Sequence, residues 1–264
     1  MPAEILTDRP HAHTLVLTIS DPAARNALSP QVYAAGIEAL DTAESQAQVR
    51  CVVLRGAGEH FCGGGDLQRL KATRASGVQE GAERQRQSID RLGGFVETLR
   101  SFPKPVIAAV EGYAAGAGFS LVLACDLVVA AEDAKFLLSY AKVGLSPDGG
   151  ASWQLARRLP PNIALEAIML PAPIAAERAR ALGLVNEVVP HGQALAAALA
   201  LAERLAAMPP NVLASAKELV HGAARRGLTE QLAAERDHFV ANLFHDNAGE
   251  GIQAFLDKRA PQFR

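Results

Sequence analysis

Phe61-Cys62-Gly63-Gly64-Gly65-Asp66-Leu67 and, further along the chain, Glu111-Gly112-Tyr113-Ala114-Ala115-Gly116-Ala117-Gly118-Phe119 are two loops built almost without side chains. Backbone N–H groups approach an oxygen closely only where glycine or alanine clears the way, so the ordered pair reads as two donors converging on one point. That is the hardware of an oxyanion hole, which acyl chemistry through an enolate or a tetrahedral intermediate requires. Ala117 opens an apolar stretch through Leu121 and Leu123. A helix starting there leaves the Ala117 amide unpaired and reinforced by the helix dipole.

The rest of the chain narrows the setting. With 264 residues, 49% of them apolar, it can bury a sizeable core, and one large unit with an appendage is expected. A formal net charge of −2 with no run of lysines or arginines leaves no footprint for nucleic acid or an anionic membrane. Cys51, Cys62 and Cys125 are widely spaced among apolar neighbours. They read as reduced packing residues with no zinc-ligand spacing, which fits a reducing cytoplasm. The first ten residues carry Glu4 and Asp8 and do not resemble a secretory signal, and no segment reaches the roughly 18 apolar residues of a membrane span.

Along the chain, Leu15 to Ile19, Arg50 to Leu54, Pro105 to Val110 and Leu127 to Ala130 read as strands, and Ser29-Pro30 as a helix start. Lys71 to Glu97, with four glycines, reads as a helix with a mobile approach on the rim of the site. From about Gln193 the pattern is helical: Leu195 to Ala207, Val212 to Ala224, Leu228 to Leu243 and Gly251 to Leu256. Strands alternating with helices predict an α/β core with mostly parallel sheets. Other glycine-loop chemistries fit poorly. Gly116-Ala117-Gly118 has Leu121 where a dinucleotide fingerprint needs its third glycine, no Walker lysine follows either loop, and His-Glu-x-x-His and Gly-x-Ser-x-Gly are absent.

The two loops, with Asn26-Ala27-Leu28 before them and Gly149-Gly150 after, resemble the signature of the crotonase superfamily, the enoyl-CoA hydratase/isomerase family. The resemblance runs from about Leu15 to Pro261. It implies a crotonase-type spiral of ββα repeats over residues 1–195, with a helical C-terminal region over 196–264 that mediates trimerisation, as a trimer or a hexamer. By the same resemblance the oxyanion donors are the amides of Gly65 and Ala117. Gly63 offers its carbonyl to the adenine of coenzyme A. Ala24, Arg25 and Ala27 line the pantetheine and nucleotide, and Asp66 caps a helix starting at Leu67. Phe255 and Lys258 match a closing Phe-x-x-Lys-Arg-x-Pro segment whose basic residue reaches a phosphate, often in a neighbouring subunit.

The departures from the family pattern bear on the reaction. Ser120 and Tyr140 stand where its hydratases carry two glutamates, so hydration lacks its usual acid/base pair. Asp148, in Gly144-Leu145-Ser146-Pro147-Asp148-Gly149-Gly150, matches the catalytic aspartate of ring-oxepin and some enoyl-CoA isomerases. The bland reading makes Asp148 the cap of a helix beginning near Ala151. The catalytic reading sets it in an apolar pocket of Phe119, Tyr140, Leu145 and Trp153 that raises its pKa. The expectation is an acyl-CoA isomerase with Asp148 as its single acid/base, acting on unsaturated acyl-CoA. It needs no metal and no cofactor, since coenzyme A arrives with the substrate. Against it stand a hydratase with altered machinery, a thioester hydrolase and a non-catalytic acyl-CoA binder. Ser120 reads as a small pocket-lining residue; as a nucleophile it would need a histidine, and none lies between His60 and His191.

Overall fold

Val16, Val53 and Ile107 sit in apolar runs that become neighbouring strands of one sheet. The computed structural model describes residues 3–264. Its strands are β1 (Glu4–His11), β2 (Thr14–Ser20), β3 (Cys51–Gly56), β4 (Val106–Val110), β5 (Tyr113–Ala115), β6 (Leu127–Ala131), β7 (Lys135–Leu137), β8 (Ile174–Ala175) and β9 (Glu187–Val189). The helices are α1 (Pro30–Ser45), α2 (Leu67–Ala75), α3 (Val78–Ser101), α4 (Ala117–Ala124), α5 (Ala151–Arg158), α6 (Pro161–Met169), α7 (Ala176–Ala181), α8 (Ala194–Ala206), α9 (Pro210–Ala223), α10 (Leu228–Leu243) and α11 (Asp246–Leu256).

The main sheet runs β1-β2-β3-β4-β6-β9, parallel throughout except for the antiparallel β1–β2 edge. Its central strands are apolar without alternation because both faces are covered. Leu15, Leu17, Val52, Leu54, Val106 and Ala108 face the main core. Val16, Val53, Ile107 and Val129 face a second layer made by Ala194, Ala198 and Ala202 of α8. A smaller sheet, β5-β7-β8, has β5 and β7 parallel.

The two sheets are wound together by a repeating path. After β3 the chain bridges β5 at Cys62 opposite Ala114 and enters α2. After β4 it forms β5 and enters α4. After β6 it forms β7, a 3-10 turn over Ser139–Val143, and α5. Each turn is thus a main-sheet strand, a short strand or, after β3, a single bridge at Cys62, and a helix, the ββα spiral expected. Three successive turns deliver their loops to the same ends of adjacent short strands, where ligands gather in parallel sheets.

Several expectations shift in detail. Arg50 lies outside β3, its guanidinium donating instead to the carbonyls of Ala206 and Phe263. The helix expected over Lys71 to Glu97 is two helices, because Gly77 at φ 91° interrupts it and Asp66 starts the first. The strands β1, β5, β7, β8 and β9 and the helices α6 and α7 were not expected. The division between residues 195 and 196 falls in the first turn of α8. Cys51, Cys62 and Cys125 are free and buried. Burial pushes the Cys51 and Cys62 thiols up to about 12 and Cys125 further still. No helix among the described residues is long and apolar enough to cross a membrane.

Candidate active site

The two glycine loops are stitched to each other, and the stitching leaves the Gly65 and Ala117 amides free. Gly63 N–H donates to the Arg25 carbonyl at 2.7 Å, and Gly64 N–H to Cys62 Sγ at 3.3 Å. In the second loop Ala115 N–H donates to the Cys62 carbonyl and Gly116 N–H to the Leu137 carbonyl, each at 2.8 Å. The Gly65 and Ala117 amides find no acceptor among the described residues. An unpaired amide at a guarded position is costly unless a ligand completes it. Ala117 is also the first residue of α4, so its N–H adds the positive end of a helix dipole.

Glycine is required where these loops meet. Gly64 sits at φ 91°, and a Cβ there would come within 2.7 Å of the Ala115 carbonyl oxygen. Gly116, at φ 53°, packs against Gly64 and Tyr140. Asn26 holds the approach from below. Fully buried, it accepts from Asp21 N–H at 2.9 Å and donates to the carbonyls of Ala57 and His60 at 2.9 and 2.7 Å. The sequence marks Asn26 only as part of a family pattern; its work as a clamp emerges from the fold.

Both free amides open into a cavity of about 400 Å³, walled also by Leu67, Leu70, Leu92, Tyr140 and Leu145. Asp148 is the single carboxylate on its wall. The Tyr140 hydroxyl donates to Asp148 Oδ1 at 2.6 Å. Burial raises the Asp148 carboxyl above the ordinary carboxylate range, and the Tyr140 hydrogen bond opposes that rise. Burial foremost, then the Asp148 charge, pushes the Tyr140 phenol far up, so Tyr140 keeps its proton. The capping reading of Asp148 does not hold: α5 starts after Gly150 with no side-chain cap. The Asp148 side chain is turned into the cavity.

The fold gathers Gly63, Gly65, Leu67, Ala117, Tyr140 and Asp148 around this cavity. Asp66 stands just outside it and caps α2, accepting from Gln68 N–H at 2.8 Å. Ser120, expected on the pocket wall, is fully buried beneath it, its hydroxyl donating to the Asp148 carbonyl at 3.0 Å. It supports the Asp148 loop and is closed to substrate, which removes it as a nucleophile. Phe119 and Trp153, expected around Asp148, face elsewhere. Phe119 stacks on Phe136 in the core, and Trp153 lies between the guanidinium groups of Arg100 and Arg157. Ala24, Arg25 and Ala27 lie behind the first loop, joined to it through Gly63, and do not line the cavity. Phe255 and Lys258, in α11 and just past its end, are exposed and not part of the cavity of their own chain.

Comparison with known proteins agrees with this geometry. The family model for enoyl-CoA hydratase/isomerase matches residues 10–264. The chain belongs to the enoyl-CoA hydratase/isomerase family. It is 34% identical to the enoyl-CoA hydratase EchA19 of Mycobacterium tuberculosis, over 96% of this chain and 93% of that protein. It is 35% identical to the 1,2-epoxyphenylacetyl-CoA isomerase of Escherichia coli, over 94% of each. The crystal structure of an enoyl-CoA hydratase from Polaromonas sp. JS666 superposes with a TM-score of 0.95 at 56% identity, covering 99% of this chain and all of that one. Membership in the crotonase superfamily implies an acyl-CoA substrate.

Proposed function

We propose that this chain is an acyl-CoA isomerase that moves a double bond, with Asp148 as its one acid/base. The observation that carries the reading is that Asp148 is the only carboxylate on the cavity wall, while Ser120 and Tyr140 stand where the family's hydratases place a glutamate pair. Adding water across a double bond calls for two groups, one to activate water and one to handle the α-proton. A 1,3-proton shift needs one. Asp148 takes a proton from C2 of a 3-enoyl thioester, the negative charge passes to the thioester oxygen between the Gly65 and Ala117 amides, and Asp148 returns the proton at C4. Each such amide contributes on the order of 3 kcal/mol to the transition state in comparable sites.

In this reading the coenzyme A leaves the cavity over Gly63, with Ala24, Arg25 and Ala27 along its path. Lys258 and Phe255 reach the coenzyme of a neighbouring subunit in a trimer or a dimer of trimers.

The test is proton NMR of 3-hexenoyl-CoA in deuterium oxide, with the wild type and Asp148→Asn. We expect double-bond migration, with deuterium entering at C4 to the extent that Asp148 exchanges its proton with solvent. We expect it to fall by on the order of 10²- to 10⁴-fold in the variant, as loss of a general acid/base does. Hydration of crotonyl-CoA by wild type without migration of the 3-enoyl bond would overturn the proposal in favour of a hydratase.

A further inference from the structure

Arg69 is the second charged group on the cavity wall, and among the described residues no carboxylate pairs with it. It is partly buried on α2. Among the described residues it forms no ion pair. The other partly buried arginines each donate to a protein oxygen: Arg50 to Ala206 and Phe263, Arg55 to Gly56, Arg100 to Gln154 and Arg226 to Gln231. The Arg69 side chain instead meets the Tyr33 phenol, which carries no charge to balance it. Tyr33 of α1 comes down beside it onto the same wall. Burial pushes the Tyr33 phenol up to about 12, the Arg69 charge pulls it down and the Asp148 charge pushes it up. Tyr33 therefore keeps its proton at neutral pH and remains a donor.

A guanidinium and a phenol thus stand side by side on one cavity wall, and among the described residues no carboxylate pairs with the guanidinium. Asp148 does not fill the role, since it forms no ion pair with Arg69 and its bond is to Tyr140. The coenzyme A path over Ala24, Arg25 and Ala27 does not touch this wall, whose other members here, Leu70 and Leu92, suit an acyl chain. A planar fork of donors in a partly dry site matches a carboxylate, which it holds by two parallel hydrogen bonds.

We infer that Arg69 and Tyr33 form a receptor for a carboxylate on the acyl group, so that the substrates are coenzyme A thioesters of dicarboxylic acids. The inference rests on the acyl-CoA reading of the cavity and names the acyl class that reading leaves open. A site built to pair a buried charge discriminates strongly against an analogue that lacks the partner.

The experiment is calorimetric titration of glutaryl-, adipyl- and pimelyl-CoA against pentanoyl-, hexanoyl- and heptanoyl-CoA, matched pairs that are saturated and cannot isomerise. At one chain length or more the wild type should bind the carboxylated member about tenfold more tightly or better. In Arg69→Gln that preference should vanish while the alkyl member binds within about twofold of wild type, and Tyr33→Phe should reduce it in part. No preference at any of the three lengths overturns the inference. So does an equal loss for both members in Arg69→Gln, which would put Arg69 on the coenzyme instead. Turnover of 3-hexenoyl-CoA by the wild type reports on the isomerase reading separately, because that substrate has no terminal carboxylate.

Discussion

Tyr140 and Asp148 share one short hydrogen bond, and its direction bears on the acidity of the proposed acid/base. The phenol is held protonated, so it donates and Asp148 accepts. Burial raises the carboxyl and this bond lowers it. Tyr140→Phe removes the lowering influence alone. The Asp148 pKa then climbs further, and because the base must be ionised, the acidic limb of kcat/KM against pH moves to higher pH. The alkaline side should stay where it is. A Tyr140 that only walls the pocket would leave the limb unmoved while changing KM. The pair also shows what a sequence conceals at this scale. The free amides of Gly65 and Ala117 are legible because absent side chains are themselves the signal. The bond between Tyr140 and Asp148 is not, since it depends on a 3-10 turn bringing residues of one loop face to face. Phe119 and Trp153 illustrate the converse: both flank the site in sequence, yet helix rotation turns one into the core and the other toward Arg100 and Arg157.

At the scale of elements, long periodic segments are readable and short strands are not. α1, α8, α9 and α10 announce themselves through helical spacing, and β2, β3, β4 and β6 through dense apolar runs. β5 and β7 have three residues each and β8 two. They exist because the spiral sets their backbones in register beside Cys62, and no local propensity records that. The same logic explains how Glu111 became invisible. It lies between β4 and β5, yet its carboxylate accepts from Gly192 and Ala194 N–H at 3.1 and 2.9 Å and so caps α8 from across the fold. The alanine face of α8 lets that helix lie close on the sheet, with Ala198 fully buried between strands. Ala198→Leu must push α8 away or distort its rotamers. We expect a loss of about 2 kcal/mol, read as a lower urea midpoint at unchanged slope. A variant as stable as wild type would mean that α8 is not seated on the sheet.

For the molecule as a whole, the outstanding surface is the C-terminal helices. Phe244 and Phe255 are each 83% exposed, and Leu228 is 75% exposed. Single exposed apolar residues are ordinary, but several large ones on consecutive helices support the proposed assembly through this face. These helices are tied to the body with care. Lys217 of α9 reaches Asp126 at 2.8 Å, and the same carboxylate accepts from Val106 N–H. The apolar side chains are therefore presented on a fixed platform. Light scattering should give a particle three or six times the 27.8 kDa chain. The double variant Phe244→Asp with Phe255→Asp should fall toward single chains. Its consequence for function follows from where Lys258 sits. Lys258 is exposed and lies off its own cavity, and in the proposed assembly it meets the coenzyme A of a neighbour. If it does, dissociation weakens acyl-CoA binding although every residue on the cavity wall is unchanged. Lys258→Ala in the intact assembly should reproduce that loss without changing the particle mass. A wild type that is monomeric in solution, or a Lys258→Ala assembly with full affinity, would sever the site from the assembly.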